Sequence, residues 1–242
     1  MAPDTDGERC IPLADIDTIR EAVVASDSEA RPFVDSSPSN GLISHFPYVK
    51  RWGSDVGSAS WGDTHYYNYM VDCEDHTTYP NSRFVSEHGF QSFPSFEAYA
   101  AMMRPEDYSR DSWLLQYRQR HPDGNKEVLD MMARHFHVPP ANATNKILPG
   151  NDVQIKLFSD YLWLTQLQQA RCYETAFSQW RRQRSEPANT MGILYWQLND
   201  IWPGHQGSRL ARILPCAHAG SAVIAHLDVQ TVFPRRTFMV DS

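Results

Sequence analysis

Strand-forming and helix-forming stretches alternate along this chain, and the alternation constrains its fold more than any other feature. Apolar residues recur at helical spacing most clearly in residues 17–26 and 152–182, and shorter helices are predicted within 93–121 and 122–151. Residues with β-forming sequence make up four segments, 32–34, 62–69, 83–87 and 192–202. Strands that alternate with helices form parallel βα units, so the sequence predicts the α/β fold class.

Polar or chemically reactive residues end each of the four predicted strands. They are Asp35-Ser36-Ser37, His65-Tyr66-Tyr67, Glu87-His88 and the run from Trp196 to Asp200. In α/β barrels, functional side chains lie at these C-terminal ends of the strands. Glu87 is therefore either a catalytic carboxylate or a solvated residue at a strand end, and the residues alone favour the solvated residue.

The composition argues against two classes of partner. The net charge is −7 and no cluster of Lys and Arg stands out, so we expect no nucleic-acid partner. No apolar run is long enough to span a bilayer, and the N-terminus lacks the pattern of a signal peptide, so we expect no membrane partner. Seven Trp, eleven Tyr and eleven Phe suit either a well-filled core or a sugar-binding cleft, and composition favours the core.

The cysteines and one sequon bear on the compartment. Cys10, Cys73, Cys172 and Cys216 are too far apart in sequence for a zinc motif. Disulfides are possible, but their pairing does not follow from the spacing. Asn142 begins an Asn-Ala-Thr sequon, which would be glycosylated only in a secretory compartment.

Several separated segments together resemble one family. They read, in chain order, ARPFVDSSPSNG, WGDTHYYNYMVDC, SRFVSEHGFQSFPSFEAY and TMGILYWQLNDIWP. Their order and spacing resemble the β-mannosidases of glycoside hydrolase family 2. The resemblance implies a partial (β/α)8 TIM-type barrel over residues 1–203, roughly strands five to eight with their helices. Residues 204–242 are expected to be a divergent tail.

The resemblance also implies a reaction and its nucleophile. The family hydrolyses terminal, non-reducing β-D-mannose residues of glycans with retention of configuration, and it needs no cofactor or metal. Its nucleophile is the Glu of a Ser-Glu-Tyr-Gly motif, which reads Ser86-Glu87-His88-Gly89 here, so Glu87 inherits this role and His88 replaces the usual Tyr. We expect the partner to be a β-mannoside glycan, and the compartment to be the lysosome or the extracellular space.

Five further residues are candidates for binding the sugar. They are Trp196, His65, Tyr67, Asn199 and Asp200. Trp196 resembles the family Trp that packs against the sugar, although a core Trp is equally compatible with the sequence. His65 could orient a carboxylate or a hydroxyl, or it could be a buried histidine of the core. Asn199 and Asp200 could contact hydroxyls, but a turn or a helix cap is the more common role for such residues.

The chain also departs from the family. The family acid/base is a Glu preceded by Asn, and no Asn in these 242 residues is followed by Glu. Asp35, Asp63 and Asp200 are the substitutes that lie near the predicted site. We therefore predict little or no mannosidase activity for this chain alone.

Two alternatives to the glycosidase stay open. One is a non-catalytic carbohydrate-binding or structural remnant of such a barrel, which the missing Asn-Glu motif favours. The other is a metal hydrolase built on Asp63, His65 and His88, although the sequence has no dense ligand motif of the kind that metal sites usually show.

Overall fold

The computed structural model describes residues 13–27, 31, 33–34, 37–38, 62–142, 151–185, 187–197, 204 and 206–207. Five helices are present in these ranges: α1 Leu13–Ser26, α2 Phe96–Ala100, α3 Trp113–Arg118, α4 Gly124–Ala133 and α5 Asp152–Arg182. The strands described are β1 Asp63–Tyr66, β2 Phe84–His88, β3 Gln91–Ser92, β4 Gly192–Ile193 and β5 Gln206–Gly207. Two short 3-10 turns, His76–Thr78 and Pro105–Asp107, complete the regular structure described.

The chain divides into two compact units. The first unit comprises Met1–Tyr66, Pro80–Glu87 and Trp180–Leu194. The second unit comprises Tyr67–Tyr79, His88–Gln179 and Tyr195–Ser242. The chain thus passes between the units several times, and each unit is built from segments that are far apart in sequence.

A three-stranded sheet in the order β1-β2-β4 organises the first unit. Strands β2 and β4 are parallel, with Phe84 opposite Gly192 and Val85 opposite Ile193. Parallel neighbours need a long crossover connection, and helices α2 to α5 lie in the segment that joins these two strands. The prediction of an α/β fold is therefore confirmed.

Strand β4 requires a glycine opposite Phe84. A Cβ atom on Gly192 would lie 2.2 Å from Cε2 of the Phe84 ring. Any larger residue would force the ring or the strand to move, so the close approach of β2 and β4 depends on Gly192. The Val85 side chain, which follows Phe84, is fully buried.

Three predicted strands are wrong in extent or existence. The strand predicted over 62–69 is limited to Asp63–Tyr66. The strand predicted over 192–202 is limited to Gly192–Ile193 among the described residues, since residues 194–197 are not in a strand. Phe33 and Val34 are not part of a strand, and Pro32 lies outside the described residues. A proline has no N–H to donate to a ladder, which weakens so short a strand.

Helix α5 confirms the strongest helical prediction, since its bounds are those predicted. Polar side chains on its buried face hold the segment that follows β2. Gln169 Nε2 donates to Phe90 O at 2.6 Å, and Gln166 Nε2 donates to Phe93 O at 3.0 Å. Thr165 Oγ1 accepts from Phe93 N at 3.0 Å. These bonds satisfy backbone groups that would otherwise be buried without partners.

The second unit contains a continuous hydrophobic core. It joins α5 to the helices α2, α3 and α4, and its buried members are Phe93, Tyr99, Met103, Tyr108, Leu115, Val128, Met132, Phe158, Tyr161 and Leu162. Several aromatic residues are therefore core residues, as the composition favoured. Burial raises the pKa of the Tyr161 hydroxyl well above its usual range, with the nearby Arg110 charge opposing the shift.

A disulfide crosslinks the second unit. It joins Cys73, which lies in the segment after β1, to Cys172 in the middle of α5. Both cysteines are buried. The pairing that the spacing left open is thus assigned for these two, while Cys10 and Cys216 lie outside the described residues. Of the helices in the described ranges, none is long and apolar enough to cross a lipid bilayer.

Candidate active site

Glu87 lies near the end of β2, next to a histidine from β1. The Nδ1 atom of His65 is 3.4 Å from Oε2 of Glu87. This distance is that of an ion pair and is longer than an ordinary N–H···O hydrogen bond. The side chains keep 22% exposure for His65 and 28% for Glu87, so the pair is shielded but still open to a ligand. His65 therefore lies beside a carboxylate, and its part in sugar binding stays a prediction.

A second carboxylate lies behind the histidine. Asp63 Oδ2 accepts hydrogen bonds from Ser37 Oγ and from Ser86 Oγ, both at 2.5 Å. Ser37 Oγ also lies 2.9 Å from Nε2 of His65. The five side chains Ser37, Asp63, His65, Ser86 and Glu87 therefore form one cluster within the first unit, which we call the Glu87 cluster.

Strand geometry explains how the cluster assembles. Asp63 and His65 are two residues apart on β1, and side chains at this spacing share one face of a strand. Ser86 and Glu87 come from β2, the neighbouring strand of the sheet. Ser37 comes from a segment 26 residues before Asp63. The arrangement places the carboxyl group of Glu87 beside the imidazole of His65.

His88 follows Glu87 and belongs to the second unit. Its side chain is fully buried, and its ring packs edge-on against Tyr173 and Phe177 with centroid distances of 5.4 and 5.1 Å. Its carbonyl oxygen accepts a hydrogen bond from Trp196 N at 2.9 Å. The imidazole that replaces the family Tyr is thus accommodated in an aromatic cluster.

The remaining predicted site residues fall into two groups. Tyr67 and Trp196 lie in the second unit and are 39% and 49% exposed, so neither is a core residue. Asn142 is exposed, as a glycosylated residue must be. Asn199 and Asp200 lie outside the described residues, as does Asp35.

The metal-hydrolase alternative finds no support in the part of the chain that the structure describes. No group of three or more His, Cys, Asp or Glu side chains there could hold a metal ion. Asp63, His65 and His88 are the ligands that this alternative requires. The first two instead bond to Ser37, and the ring of His88 packs among aromatic residues in the second unit.

Sequence reasoning missed the hydroxyl groups of the Glu87 cluster. The sequence suggests Asp63 as a substitute acid or a metal ligand, and Ser37 only as part of a strand end. The spacing of Asp63 and His65 was a usable signal that both face the same way from β1. The hydrogen bonds from Ser37 and Ser86 to Asp63 join separate segments, and no local sequence pattern predicts them.

The comparisons with known proteins agree with the resemblance. No family model matches the chain. The chain is 41% identical to β-mannosidase of Rattus norvegicus over 192 residues, which cover 77% of this chain and 20% of the rat protein. It is 40% identical to β-mannosidase of Bos taurus over 200 residues, which cover 81% of this chain and 21% of the bovine protein. The chain therefore spans about a fifth of the length of the curated relatives it matches.

A solved structure is similar as well. The crystal structure of β-D-mannosidase from Dictyoglomus thermophilum matches with a TM-score of 0.62 and 22% identity. The match covers 84% of this chain and 22% of that one. At this level of identity the likeness concerns the fold, and it agrees with the α/β class.

Proposed function

The chain is a relative of the β-mannosidases, and from this relationship we propose that it forms part of a retaining glycosidase that removes terminal β-D-mannose from glycans. Glu87 is the nucleophile in this proposal. The observation that carries it is the contact between Glu87 Oε2 and His65 Nδ1 at 3.4 Å, at the end of a strand in a parallel pair. A partly exposed carboxylate in this position is what the reaction requires.

The chemistry divides two tasks between two carboxyl groups. One carboxylate attacks the anomeric carbon and forms a covalent glycosyl-enzyme, while the other protonates the leaving oxygen and later activates water. The nucleophile must be ionised, and the acid must hold its proton. His65 supports the first role, because its Nδ1 atom lies 3.4 Å from Oε2 of Glu87 and can orient that carboxylate.

The acid/base has no matching residue among these 242 residues. Asp63 is unsuited to the task, because it already accepts hydrogen bonds from two hydroxyl groups. Such bonds favour an ionised carboxylate, whereas the acid has to carry a proton. We therefore propose that the chain by itself completes the first chemical step only with substrates whose leaving group departs without help.

The wider context of the site is part of the same proposal. Residues 1–203 would supply strands five to eight of a (β/α)8 barrel, and 204–242 a divergent tail. We place the protein in the lysosome or outside the cell. The disulfide between Cys73 and Cys172 supports an oxidising compartment, and the exposed Asn142 suits glycosylation there.

One observation favours a second candidate function, carbohydrate binding without catalysis. The Trp196 side chain is 49% exposed and follows β4, so an indole face is available to a ligand. An indole face packs well against the apolar face of a sugar. This function would need neither Glu87 nor an acid/base.

Chromophore release from two aryl β-mannosides tests the proposal. A dinitrophenyl group leaves without protonation, whereas a nitrophenyl group benefits from an acid. We expect slow release from the dinitrophenyl mannoside and little from the nitrophenyl mannoside. Glu87→Gln should lower the release by at least about 1000-fold, as for loss of a nucleophile elsewhere. Glu106→Gln is the control, since this side chain is 58% exposed and lies outside the Glu87 cluster.

The other outcomes also decide between the candidates. Release that Glu87→Gln does not change would contradict the role of Glu87. Fast release from both substrates would contradict the missing acid/base. No release from either substrate, with mannoside binding that quenches Trp fluorescence, would favour the carbohydrate-binding function.

A further inference from the structure

We propose that Asp63 is a positioning residue which, through the hydroxyl of Ser37, fixes the imidazole proton of His65 on Nε2 and leaves Nδ1 facing Glu87. The inference rests on the proposed function of Glu87 and adds a defined proton arrangement behind it. Three contacts carry it: Asp63 to Ser37 at 2.5 Å, Ser37 to His65 at 2.9 Å, and His65 to Glu87 at 3.4 Å.

The number of protons on Ser37 fixes the direction of its hydrogen bonds. A serine hydroxyl has one hydrogen to donate and lone pairs to accept with. An ionised Asp63 can only accept, so the hydrogen of Ser37 must point to Asp63 Oδ2, 2.5 Å away. The oxygen of Ser37 is then an acceptor toward the ring, and Nε2 of His65 at 2.9 Å must be the donor.

Whether Nε2 of His65 carries a proton determines what Nδ1 presents to the carboxylate of Glu87. A neutral imidazole carries one proton, and Ser37 holds that proton on Nε2. Nδ1 of His65 then presents a lone pair to the carboxylate of Glu87. A second proton can go only to Nδ1, where it converts a contact between two acceptors into a charge-assisted bond. The proton taken up or released by His65 is therefore the one that Glu87 contacts.

Ser86 provides a matched comparison for Ser37. Both hydroxyls donate to the same oxygen of Asp63 at the same distance of 2.5 Å. Ser37 also contacts the ring of His65. Removing either hydroxyl takes one donor from Asp63, but only the loss of Ser37 interrupts the path from Asp63 to His65.

Nuclear magnetic resonance of the full chain with ¹⁵N-labelled histidine tests the proposal without any sugar. At about pH 8 histidine is normally neutral. We expect a downfield N–H proton on Nε2 of His65, assigned by its absence in His65→Gln. Ser37→Ala should abolish this signal, and Ser86→Ala should keep it. Asp63→Asn should move the proton to Nδ1 or abolish its signal, because an amide can donate to Ser37 and turn the hydroxyl toward the ring.

Several outcomes would overturn the proposal. They are a parent His65 with its proton on Nδ1, an Nε2 signal unchanged in Ser37→Ala or Asp63→Asn, and a loss in Ser86→Ala equal to that in Ser37→Ala. Ser37→Thr keeps the hydroxyl and should restore the signal, which separates loss of the bond from loss of folding. Failure of the proposed function is seen separately, as absent Glu87-dependent chromophore release, since the histidine signal needs no mannoside.

Discussion

At the scale of single residues, the hydrogen-bond and ion-pair partners of Asp63 and Glu87 give the two carboxyl groups different roles. Asp63 accepts hydrogen bonds from two serine hydroxyls, so it acts as a fixed acceptor. Glu87 contacts His65 at 3.4 Å and keeps 28% of its side chain exposed, so it remains open to a ligand. The two acids of the cluster thereby play different parts, and neither is the proton-carrying acid that glycoside hydrolysis also requires.

Another carboxylate and histidine pair, in the second unit, makes stability depend on pH. Partial burial is the largest single effect and raises the pKa of Asp72, whereas a hydrogen bond from His135 lowers it. The backbone N–H of Glu74 and the charges of His135 and Arg134 lower it further. The net pKa of Asp72 lies below its usual value of 3.8. His135 Nε2 is 2.9 Å from Asp72 Oδ1.

The sign of the effect on stability follows directly. A folded-state pKa below the unfolded value gives stability that is present above about pH 3.8 and is lost as pH falls through the folded pKa. Asp72→Asn should therefore lower the melting temperature above pH 4 and flatten its acid decline. Since the Asp72 side chain is 37% exposed, the free energy of unfolding should change by less than about 1 kcal/mol.

Melting curves between about pH 2 and 7 measure this effect of Asp72→Asn. Asp111→Asn is the control, because the side chain of Asp111 is 65% exposed and its ion pair is long, with Oδ1 3.8 Å from Nε of Arg110. An acid decline as steep in Asp72→Asn as in the parent would contradict the account of this pair.

At the scale of elements, a disulfide and an ion pair attach the segment after β1 to helix α5. Cys73 is bonded to Cys172 of α5, and Asp72, which precedes Cys73, pairs with His135 outside that helix. Glu74 pairs with Arg171, which is one residue before Cys172 on the helix. Gln168 Nε2, one turn earlier, lies 3.0 and 3.1 Å from the two sulfur atoms. Helix α5 is thus the element to which this segment is attached.

Loss of the disulfide should cost the chain much of its stability. The two cysteines are 99 residues apart, and a crosslink that closes so long a loop contributes about 4 to 5 kcal/mol in the chain-entropy model. The double variant Cys73→Ala, Cys172→Ala should unfold at a correspondingly lower denaturant concentration. Denaturant titration measures the change, and peptide mapping without reductant detects the crosslink.

Cys216→Ser serves as the control and should keep the crosslink between Cys73 and Cys172. A parent chain purified from an oxidising compartment with both thiols free would contradict this assignment. It would also remove the support that the disulfide lends to a lysosomal or secreted location.

At the scale of the whole molecule, long periodic signals were predictable from the sequence and pairing between distant segments was not. Residues 152–182 gave the bounds of α5, because a 31-residue helix repeats its pattern many times. The apolar run 192–202 gave a strand that is two residues long among the described residues. Strand length depends on partners elsewhere in the chain, and an apolar run does not reveal them.

Only part of the Glu87 cluster could be predicted from the sequence. Glu87 and His65 were found because motifs and strand ends mark them. The bond between Ser37 and Asp63 joins residues 26 apart, and the bond between Ser86 and Asp63 joins residues 23 apart. Such bonds exist only once β1 and β2 are neighbours, so the tertiary structure was needed to see them.

Covalent trapping is the most direct measurement of the central claim, the nucleophilic role of Glu87. The probe is a β-mannosyl fluoride with a second fluorine on the carbon next to the anomeric centre. Fluoride leaves without an acid, and the second fluorine slows hydrolysis of the glycosyl-enzyme. The account predicts one mannosyl group per chain, located by peptide mass spectrometry on Glu87 and absent in Glu87→Gln. A label on another residue, or a folded chain that takes up none, would contradict it.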